Sequence, residues 1–275
     1  MGRLGGSREL KNVLIVGYPR SGNTYLGYLV SYHFNAPYYD LYDLSEVLAG
    51  KRDPESLTLA PEAFSGTFSR LDQKKEVRAV LKSHELPTTL PVKHGGVLDY
   101  VAYQSSDPLV LITREPKDVA VSFFYYRYFR QAFRKGHWSR YLPPPIYHRY
   151  HLLLHFERLA LRVAKEWREM VTKWWDLHPL LIRYEDLLKQ PESQIQRIAN
   201  EFGFQFHARY AAEAVQFCQL SHLRGLEKAR NPGIREQERK YREGKIGGWK
   251  KLFSRRLQVR FDQLTREATQ LVGYQ

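Results

Sequence analysis

The chain has almost no cysteine: Cys218 is the single one among its 275 residues. An intrachain disulfide is therefore excluded, and with it the small disulfide-stapled folds of secreted proteins. No apolar run approaches the roughly 20 residues that a membrane-spanning helix needs. The first residues also lack the apolar core of a signal peptide. These absences lead us to expect a cytoplasmic protein with no membrane partner.

Metal-ligand and nucleic-acid signatures are missing as well. No cysteine and histidine spacing typical of zinc sites occurs, so we expect no metal. The net charge of +14 favours an anionic ligand, which could be a nucleic acid, a membrane surface or a polyanionic small molecule. The basic residues are spread along the chain, without a zinc-finger or RNP-like pattern. We therefore expect a small polyanion and no nucleic-acid partner, with a basic nucleic-acid-binding protein as an alternative.

What the sequence does contain is enough apolar side chains for a large core, at 43% hydrophobic and 14% aromatic residues. Helical patterns alternate with short strands that are apolar throughout. This alternation is typical of a parallel sheet covered by helices on both faces. We predict a single α/β domain over residues 1–275, with a flexible tail at 1–11 and a charged segment without clear periodicity at 225–251.

The predicted elements follow one another without repeats or linkers. Strands are predicted at 13–17, 109–113 and 180–184, and a further one begins at 79–81 and ends in the tripeptide KSH at 82–84. Helices are predicted at 22–34, 116–134, 152–174, 191–203, 207–219 and 254–272, with short ones near 43–49 and 61–72. The segment 36–75 is predicted to be loop-rich, and the proline-containing stretch 135–148 to be flexible.

The most informative stretch is VLIVGYPRSGNTY, residues 13–25. A strand leads through small polar residues into a helix, an arrangement that gathers backbone N–H groups and the helix dipole around an anion. The spacing from Gly17 to Gly22 matches the P-loop frame GxxxxGK[ST], but Asn23 stands at the lysine position and Arg20 supplies the cation. We expect a doubly charged oxyanion group rather than magnesium-assisted γ-phosphoryl transfer. A P-loop small-molecule or nucleotide kinase remains an alternative.

Functional side chains also follow the other predicted strands, whose carboxyl ends should meet this loop. Lys82 and His84 follow the second strand, Arg114 follows the third with Ser122 in the next helix, and Tyr184 ends the fourth. An imidazole, whose unperturbed pKa is about 6.5, is able to accept a proton at neutral pH. The set predicts a site for a polyanion that carries a ring, with His84 as a base.

Five segments resemble, in order, the motifs of the cytosolic-type sulfotransferases that use 3′-phosphoadenosine 5′-phosphosulfate (PAPS). The family motifs are YPKSGTxW, KTHLP, RNPKDVAVS, YED and RKGxxGDWK. The similar segments here are YPRSGNTY at 18–25, KSHELP at 82–87, TREPKDVAVS at 113–122, RYEDL at 183–187 and YREGKIGGWK at 241–250. The resemblance implies a P-loop-like fold and metal-free transfer of a sulfuryl group from PAPS to a hydroxyl or amine of a small-molecule acceptor, leaving the nucleotide PAP.

The resemblance also implies roles for individual residues. His84 would be the catalytic base, and Arg20 and Lys82 would stabilise the departing nucleotide. The loop at 225–251 would cover the cofactor. The residues implied to bind it are Arg20, Ser21, Gly22, Asn23, Thr24, Tyr25, Arg114, Ser122, Tyr184, Leu223, Arg242, Glu243 and Gly244.

Several positions depart from the family's pattern. Arg20 replaces a lysine and keeps the charge, but arginine does not release its proton, so its implied role is electrostatic. Tyr25 replaces a tryptophan and retains a ring for the adenine. Glu243 replaces a lysine and removes one positive charge. Arg255 and Val259 stand where the family's dimer motif has valine and glutamate, which leaves the oligomeric state open.

Overall fold

The structure is a computed structural model that describes residues 10–41, 75–87, 106–131, 144–230 and 244–274. Its sheet contains five strands, and every neighbouring pair is parallel. The strand order is β2-β3-β1-β4-β5. The strands are β1 (Lys11–Val16), β2 (Tyr38–Asp40), β3 (Val77–Ser83), β4 (Leu109–Thr113) and β5 (Leu180–Arg183).

Helices follow most of the strands and cover both faces of the sheet. They are α1 (Asn23–Phe34), α2 (Pro116–Tyr125), α3 (Pro144–Trp175), α4 (Tyr184–Lys189), α5 (Pro191–Phe202), α6 (Ala208–Phe217), α7 (Leu220–Arg230) and α8 (Arg255–Leu271). A π-helical segment, Tyr126–Gln131, continues α2, and a 3-10 turn, Gly248–Lys251, precedes α8.

The alternation of side chains along β1 divides the core into two layers. Leu14 and Val16 belong to a cluster that contains Trp167 of α3 and Phe261 of α8. Val13 and Ile15 belong to the opposite cluster, with side chains of α1, α5 and α6. Because successive strand residues point to opposite faces, a strand buried on both sides must be apolar throughout. The predicted α/β fold, with a central parallel sheet flanked by helices on both faces, is confirmed.

The position of β1 decides where a ligand site forms. After β1, the chain first adds β2 and β3 on one side of this strand. It then crosses over and adds β4 and β5 on the other side. A crevice opens beyond the carboxyl ends of the strands at such a switch point. The ends of β1, β3 and β4 are the elements that carry the loop at 17–22, His84 and Arg114.

Several predicted boundaries are wrong. The tail at 1–11 extends too far, because Lys11 is the first residue of β1. Within the loop-rich segment 36–75, residues Tyr38–Asp40 form a strand paired with β3. The stretch 135–148 is helical from Pro144, since proline is well suited to the first turn of a helix. The irregular segment 225–251 begins with the last six residues of α7, which ends at Arg230.

Two further helix boundaries differ from the prediction. The helix predicted over 116–134 changes to π-helical geometry at Tyr126. The fourth strand ends at Arg183, and Tyr184 starts the short helix α4. The helices predicted at 43–49 and 61–72 lie outside the described residues. The assignment of residues 1–275 to one domain stays a prediction.

Candidate functional site

The loop between β1 and α1 depends on two glycines. A side chain at Gly17 would overlap the carbonyl oxygen of Ile112 on the neighbouring strand β4. Gly22 has φ +102°, and a Cβ there would lie 2.5 Å from Cδ2 of Tyr184. Only glycine adopts that backbone conformation without strain and admits such a close ring. Arg20, between them, also has a positive φ of 76°. The loop is therefore held in one tight shape against β4 and Tyr184.

The polar groups at the end of this loop and in the first turn of α1 differ in whether they have a partner within the protein. Asn23 begins α1, is 2% exposed, and donates from Nδ2 to the Gly17 carbonyl oxygen at 3.1 Å. Thr24 and Tyr25 are half-buried in the same first turn. The N–H groups of a first helical turn have no preceding helical carbonyl and are free to bind an anion. The backbone N–H of Ser21 differs, since it closes the turn to the Tyr18 carbonyl at 3.2 Å. Cofactor binding by Ser21 stays a prediction.

His84 follows β3 directly and lies against the same loop. Its Nδ1 is 2.7 Å from the Gly17 carbonyl oxygen. A carbonyl oxygen only accepts hydrogen bonds, so Nδ1 carries the proton. In the neutral imidazole Nε2 then holds the lone pair. The structure brings the predicted base to the predicted anion loop and assigns the tautomer that accepts a proton at Nε2.

The cationic side chains of two motifs also meet at this point. Arg20 donates from Nε to Ser122 Oγ at 3.2 Å, and its guanidinium lies 5.2 Å from the ring centre of Tyr126. Arg114 donates to the Arg20 carbonyl oxygen at 3.4 Å and to the Lys245 carbonyl oxygen at 2.9 Å. Arg20, Arg114 and Ser122, which the sequence places in two remote motifs, therefore form one connected group.

Aromatic rings border this cationic group. The guanidinium of Arg114 lies 4.7 Å from the ring centre of Tyr184, a ring that also packs closely against Gly22. Burial raises the pKa of the Tyr184 phenol, and the charge of Arg114 opposes that rise. Burial also raises the pKa of Tyr25 to about 12. Both phenols are therefore neutral at physiological pH.

Lys82 has a partner that the sequence analysis did not anticipate. Its ammonium forms an ion pair with Asp40 of β2, and Lys82 is 5% exposed. The pairing follows from the register, because Asp40 lies beside Lys82 across β2 and β3. A lysine paired in this way has part of its charge compensated by the carboxylate. A catalytic role for Lys82 stays a prediction.

The segment that precedes α8 is fastened to the start of α2 by Asp118. Its buried carboxylate accepts hydrogen bonds from the backbone N–H groups of Gly247 at 2.6 Å and Trp249 at 3.0 Å. Lys117 adds a cation–π contact to the Trp249 ring at 4.7 Å. The sequence analysis did not single out Asp118. A signal was present, since this acidic residue follows Arg114 by four positions within a motif.

A second carboxylate, Glu185, fixes the backbone next to Arg114 and was also missed. Glu185 accepts from the Glu115 N–H at 3.0 Å and from the Tyr274 hydroxyl at 2.6 Å. Burial, followed by the charge of Glu185, raises the pKa of Tyr274 well above its ordinary value. Tyr274, three residues beyond the end of α8, therefore supports through Glu185 the peptide next to Arg114.

The remaining predicted cofactor residues are placed as follows. Leu223 is buried on α7 in the cluster against which Tyr25 packs. Gly244 has φ +63°, and a Cβ there would lie 3.8 Å from the Tyr184 hydroxyl. The structure thus brings Gly244 towards the site, while Arg242 and Glu243 lie outside the described residues.

The donors of this site suit an anion such as a phosphate. Within the described part of the chain, Ser21 Oγ and Arg114 Nε are buried polar atoms without a hydrogen-bond partner. Buried donors normally have a partner, and at such a site an anionic ligand supplies one. Among the described residues, no three histidine, cysteine, aspartate or glutamate side chains are grouped as metal ligands. No described helix has the length and apolar character needed to cross a membrane.

Comparisons with known proteins agree with this geometry. The family model described as "Sulfotransferase domain" matches residues 10–273. Cytosolic sulfotransferase 16 of Arabidopsis thaliana is 24% identical over 276 residues, covering 92% of this chain and 75% of that protein. Sulfotransferase 1A1 of Canis lupus familiaris is 26% identical over 271 residues, covering 91% and 81%. A solved structure of mouse sulfotransferase SULT7A1 complexed with PAP has a TM-score of 0.55 at 19% identity, covers 94% of this chain and 84% of that one, and shows the same fold.

Proposed function

This chain belongs to the sulfotransferase family, and on that premise we propose that it uses PAPS to sulfate a hydroxyl or amine of a small-molecule acceptor, with His84 as the general base. The family membership confirms the sulfotransferase prediction and favours neither a P-loop kinase nor a nucleic-acid-binding protein. The roles of individual residues are the new part of the proposal.

The observation that carries these roles is the meeting of three strand ends at one loop. His84 after β3 contacts the Gly17 carbonyl at 2.7 Å, and Ser122 after β4 contacts Arg20 at 3.2 Å. A base, a cation and a hydroxyl from separate motifs thus surround the start of α1. This is the arrangement that an in-line transfer between a bound anion and an acceptor requires.

In the proposed reaction, His84 accepts the acceptor's proton at Nε2 while the acceptor oxygen or nitrogen bonds to sulfur. PAPS supplies the sulfuryl group, and the bond from sulfur to the 5′-phosphate oxygen breaks to leave PAP. Arg20 and the N–H groups at the start of α1 stabilise the negative charge on the departing phosphate. One preorganised donor of this kind is worth about 2.7–4 kcal/mol in transition-state stabilisation.

The remaining residues bind the nucleotide. Arg114 and Ser122 hold the 3′-phosphate, a group that separates PAPS from ATP, and Arg242 adds a further charge. Tyr25 and Tyr184 hold the adenine, with Leu223 behind Tyr25. This assignment is supported by the buried Arg114 Nε, which lacks a partner among the described side chains, and by the neutral phenols at both rings.

We place the reaction in the cytoplasm. The Arabidopsis relative carries the word cytosolic in its name, and the single cysteine of this chain, Cys218, is buried and unpaired. A small-molecule acceptor is the expected partner, without nucleic acid or membrane.

Two substitutions test the assignment of base and phosphate ligand. His84→Ala should bind PAP with unchanged affinity in calorimetry but lose sulfuryl transfer to a panel of phenols, alcohols and amines with labelled PAPS. General-base catalysis contributes about 10²–10⁴-fold, which sets the expected loss. Arg114→Ala should instead weaken PAP binding strongly. Near-normal turnover of His84→Ala would remove this residue from the role of base.

A further inference from the structure

We propose that Asn23 is a positioning residue for the catalytic base, acting on His84 through the carbonyl group of Gly17. The inference rests on the proposed function, because it takes His84 to be the proton acceptor. It gives the asparagine side chain a task distinct from cofactor binding, at the position where a P-loop hydrolase has its phosphate-binding lysine.

One oxygen atom joins the two side chains. The Gly17 carbonyl accepts from His84 Nδ1 at 2.7 Å and from Asn23 Nδ2 at 3.1 Å. A carbonyl oxygen has two lone pairs, so it accommodates both donors at once. His84 arrives from the end of β3 and Asn23 from the start of α1. The shared acceptor therefore couples the catalytic ring to the first residue of the anion-binding helix.

The surroundings leave this arrangement little freedom. A Cβ at Gly17 would lie 2.8 Å from Asn23 Nδ2 and would overlap the Ile112 carbonyl oxygen. Asn23 is 2% exposed, and its Oδ1 has no hydrogen-bond partner among the described residues. A reversed amide would place Oδ1 against the Gly17 oxygen, so the bond to Gly17 determines how the amide is oriented. The hydrogen bond from Asn23 thus acts as a brace, because it fixes the orientation of the Gly17 carbonyl group that accepts from His84.

This brace matters to the chemistry because the ring must present Nε2 to the acceptor. The bond from Nδ1 to the carbonyl fixes both the tautomer and the ring direction. When Nε2 takes the proton, the imidazolium that forms remains bonded to the carbonyl, whose negative end favours the cation. Misplacement of a reacting group by about 1 Å costs on the order of 10²-fold in rate. Loss of the brace should therefore lower kcat without removing any group that touches the nucleotide.

A double-mutant cycle with Asn23→Ala and His84→Ala tests this coupling. In the native background Asn23→Ala should lower kcat by about 10- to 100-fold, as expected for a group that orients a catalytic side chain. In the His84→Ala background the same change should alter the residual rate by no more than about twofold, because the imidazole that Asn23 orients is absent. PAP affinity, measured by calorimetry, should change by no more than about twofold in both backgrounds.

Two further variants keep the test decisive. Asn23→Leu retains the approximate shape but cannot donate, and should reproduce the kcat loss if the alanine variant fails to fold. Asn12→Ala removes another buried asparagine, bonded to Asp107 at 3.4 Å, and should leave kcat unchanged at matched folded fraction. An equal loss of rate in both His84 backgrounds, or a parallel loss of PAP affinity, would overturn the positioning role. An active His84→Ala enzyme, or a native protein that does not bind PAP, would instead overturn the proposed function.

Discussion

Removal of the Asp118 carboxylate should loosen the segment before α8, which the family resemblance implies covers the nucleotide. Asp118 is 2% exposed, and its two oxygens hold the N–H groups of Gly247 and Trp249. A hydrogen bond to a charged group contributes about 1.5–3 kcal/mol. Gly247 and Trp249 are half-exposed, so their N–H groups regain water when the carboxylate is lost. We therefore take the lower value for each bond, which gives about 3 kcal/mol for the attached state.

This free energy converts into nucleotide affinity only where binding requires the attached segment. The apparent dissociation constant for PAP is inversely proportional to the fraction of molecules in which the segment is bonded to Asp118. Each 1.4 kcal/mol lost from that bonded state raises the dissociation constant by about a factor of ten. Asp118→Ala should therefore weaken PAP binding by about 100-fold in calorimetry. Asp118→Asn keeps one acceptor oxygen and loses one bond, so its loss should be about tenfold.

Asp107→Asn is the matched control, since Asp107 also accepts from a backbone N–H, that of Asn12 at 3.1 Å, but lies away from the site. Its PAP affinity should stay within about twofold of the native value. The reasoning is refuted if folded Asp118→Ala, checked by circular dichroism, binds PAP as tightly as Asp107→Asn.

Two further substitutions probe the loop and its rings. Gly22→Ala should abolish measurable PAP binding, because a Cβ would lie 2.5 Å from Tyr184 at a φ of +102°. Gly225→Ala is its control, since a Cβ there meets nothing within 4 Å. Unchanged binding by Gly22→Ala would contradict the described loop. Tyr25 has its pKa raised from 10.0 to about 12 by burial, so the folded state keeps a proton that the unfolded state releases, and stability falls as pH rises through this interval. Tyr25→Phe should make that fall shallower in urea titrations across the same interval, and equal slopes would count against the buried phenol.

The sequence predicted the central strands well because their constraint is local. A strand buried on both faces must be apolar at every position, and β4, Leu109–Thr113, was predicted with its observed bounds. The strand β2 lacked this signal, since only Tyr38 of its three residues is buried. Its pairing depends on the register with β3, which contributes Lys82 opposite Asp40. No pattern within three residues reports such a distant partner.

The site likewise contains residues that a local pattern indicates and residues whose partners are remote in sequence. His84, Arg20 and Arg114 could be predicted as site residues because each follows an apolar strand or lies in a glycine-bounded loop. Asp118 was missed as a site residue because its partner Gly247 is 129 residues away in sequence. Its acidic character at a helix start is explained equally well by the helix dipole. Only the fold shows that this carboxylate holds a remote backbone segment.

The central position of β1 explains why one short loop contacts both the proposed base and the proposed phosphate ligands. Its two neighbours, β3 and β4, end beside it, so Gly17 meets His84 on one side while Arg20 meets Ser122 on the other. An edge strand would have only one such neighbour. The same site built on β2 or β5 would therefore lack either the proposed base or the proposed 3′-phosphate ligand. The choice of the middle strand follows from the need to hold two different groups against one anion loop.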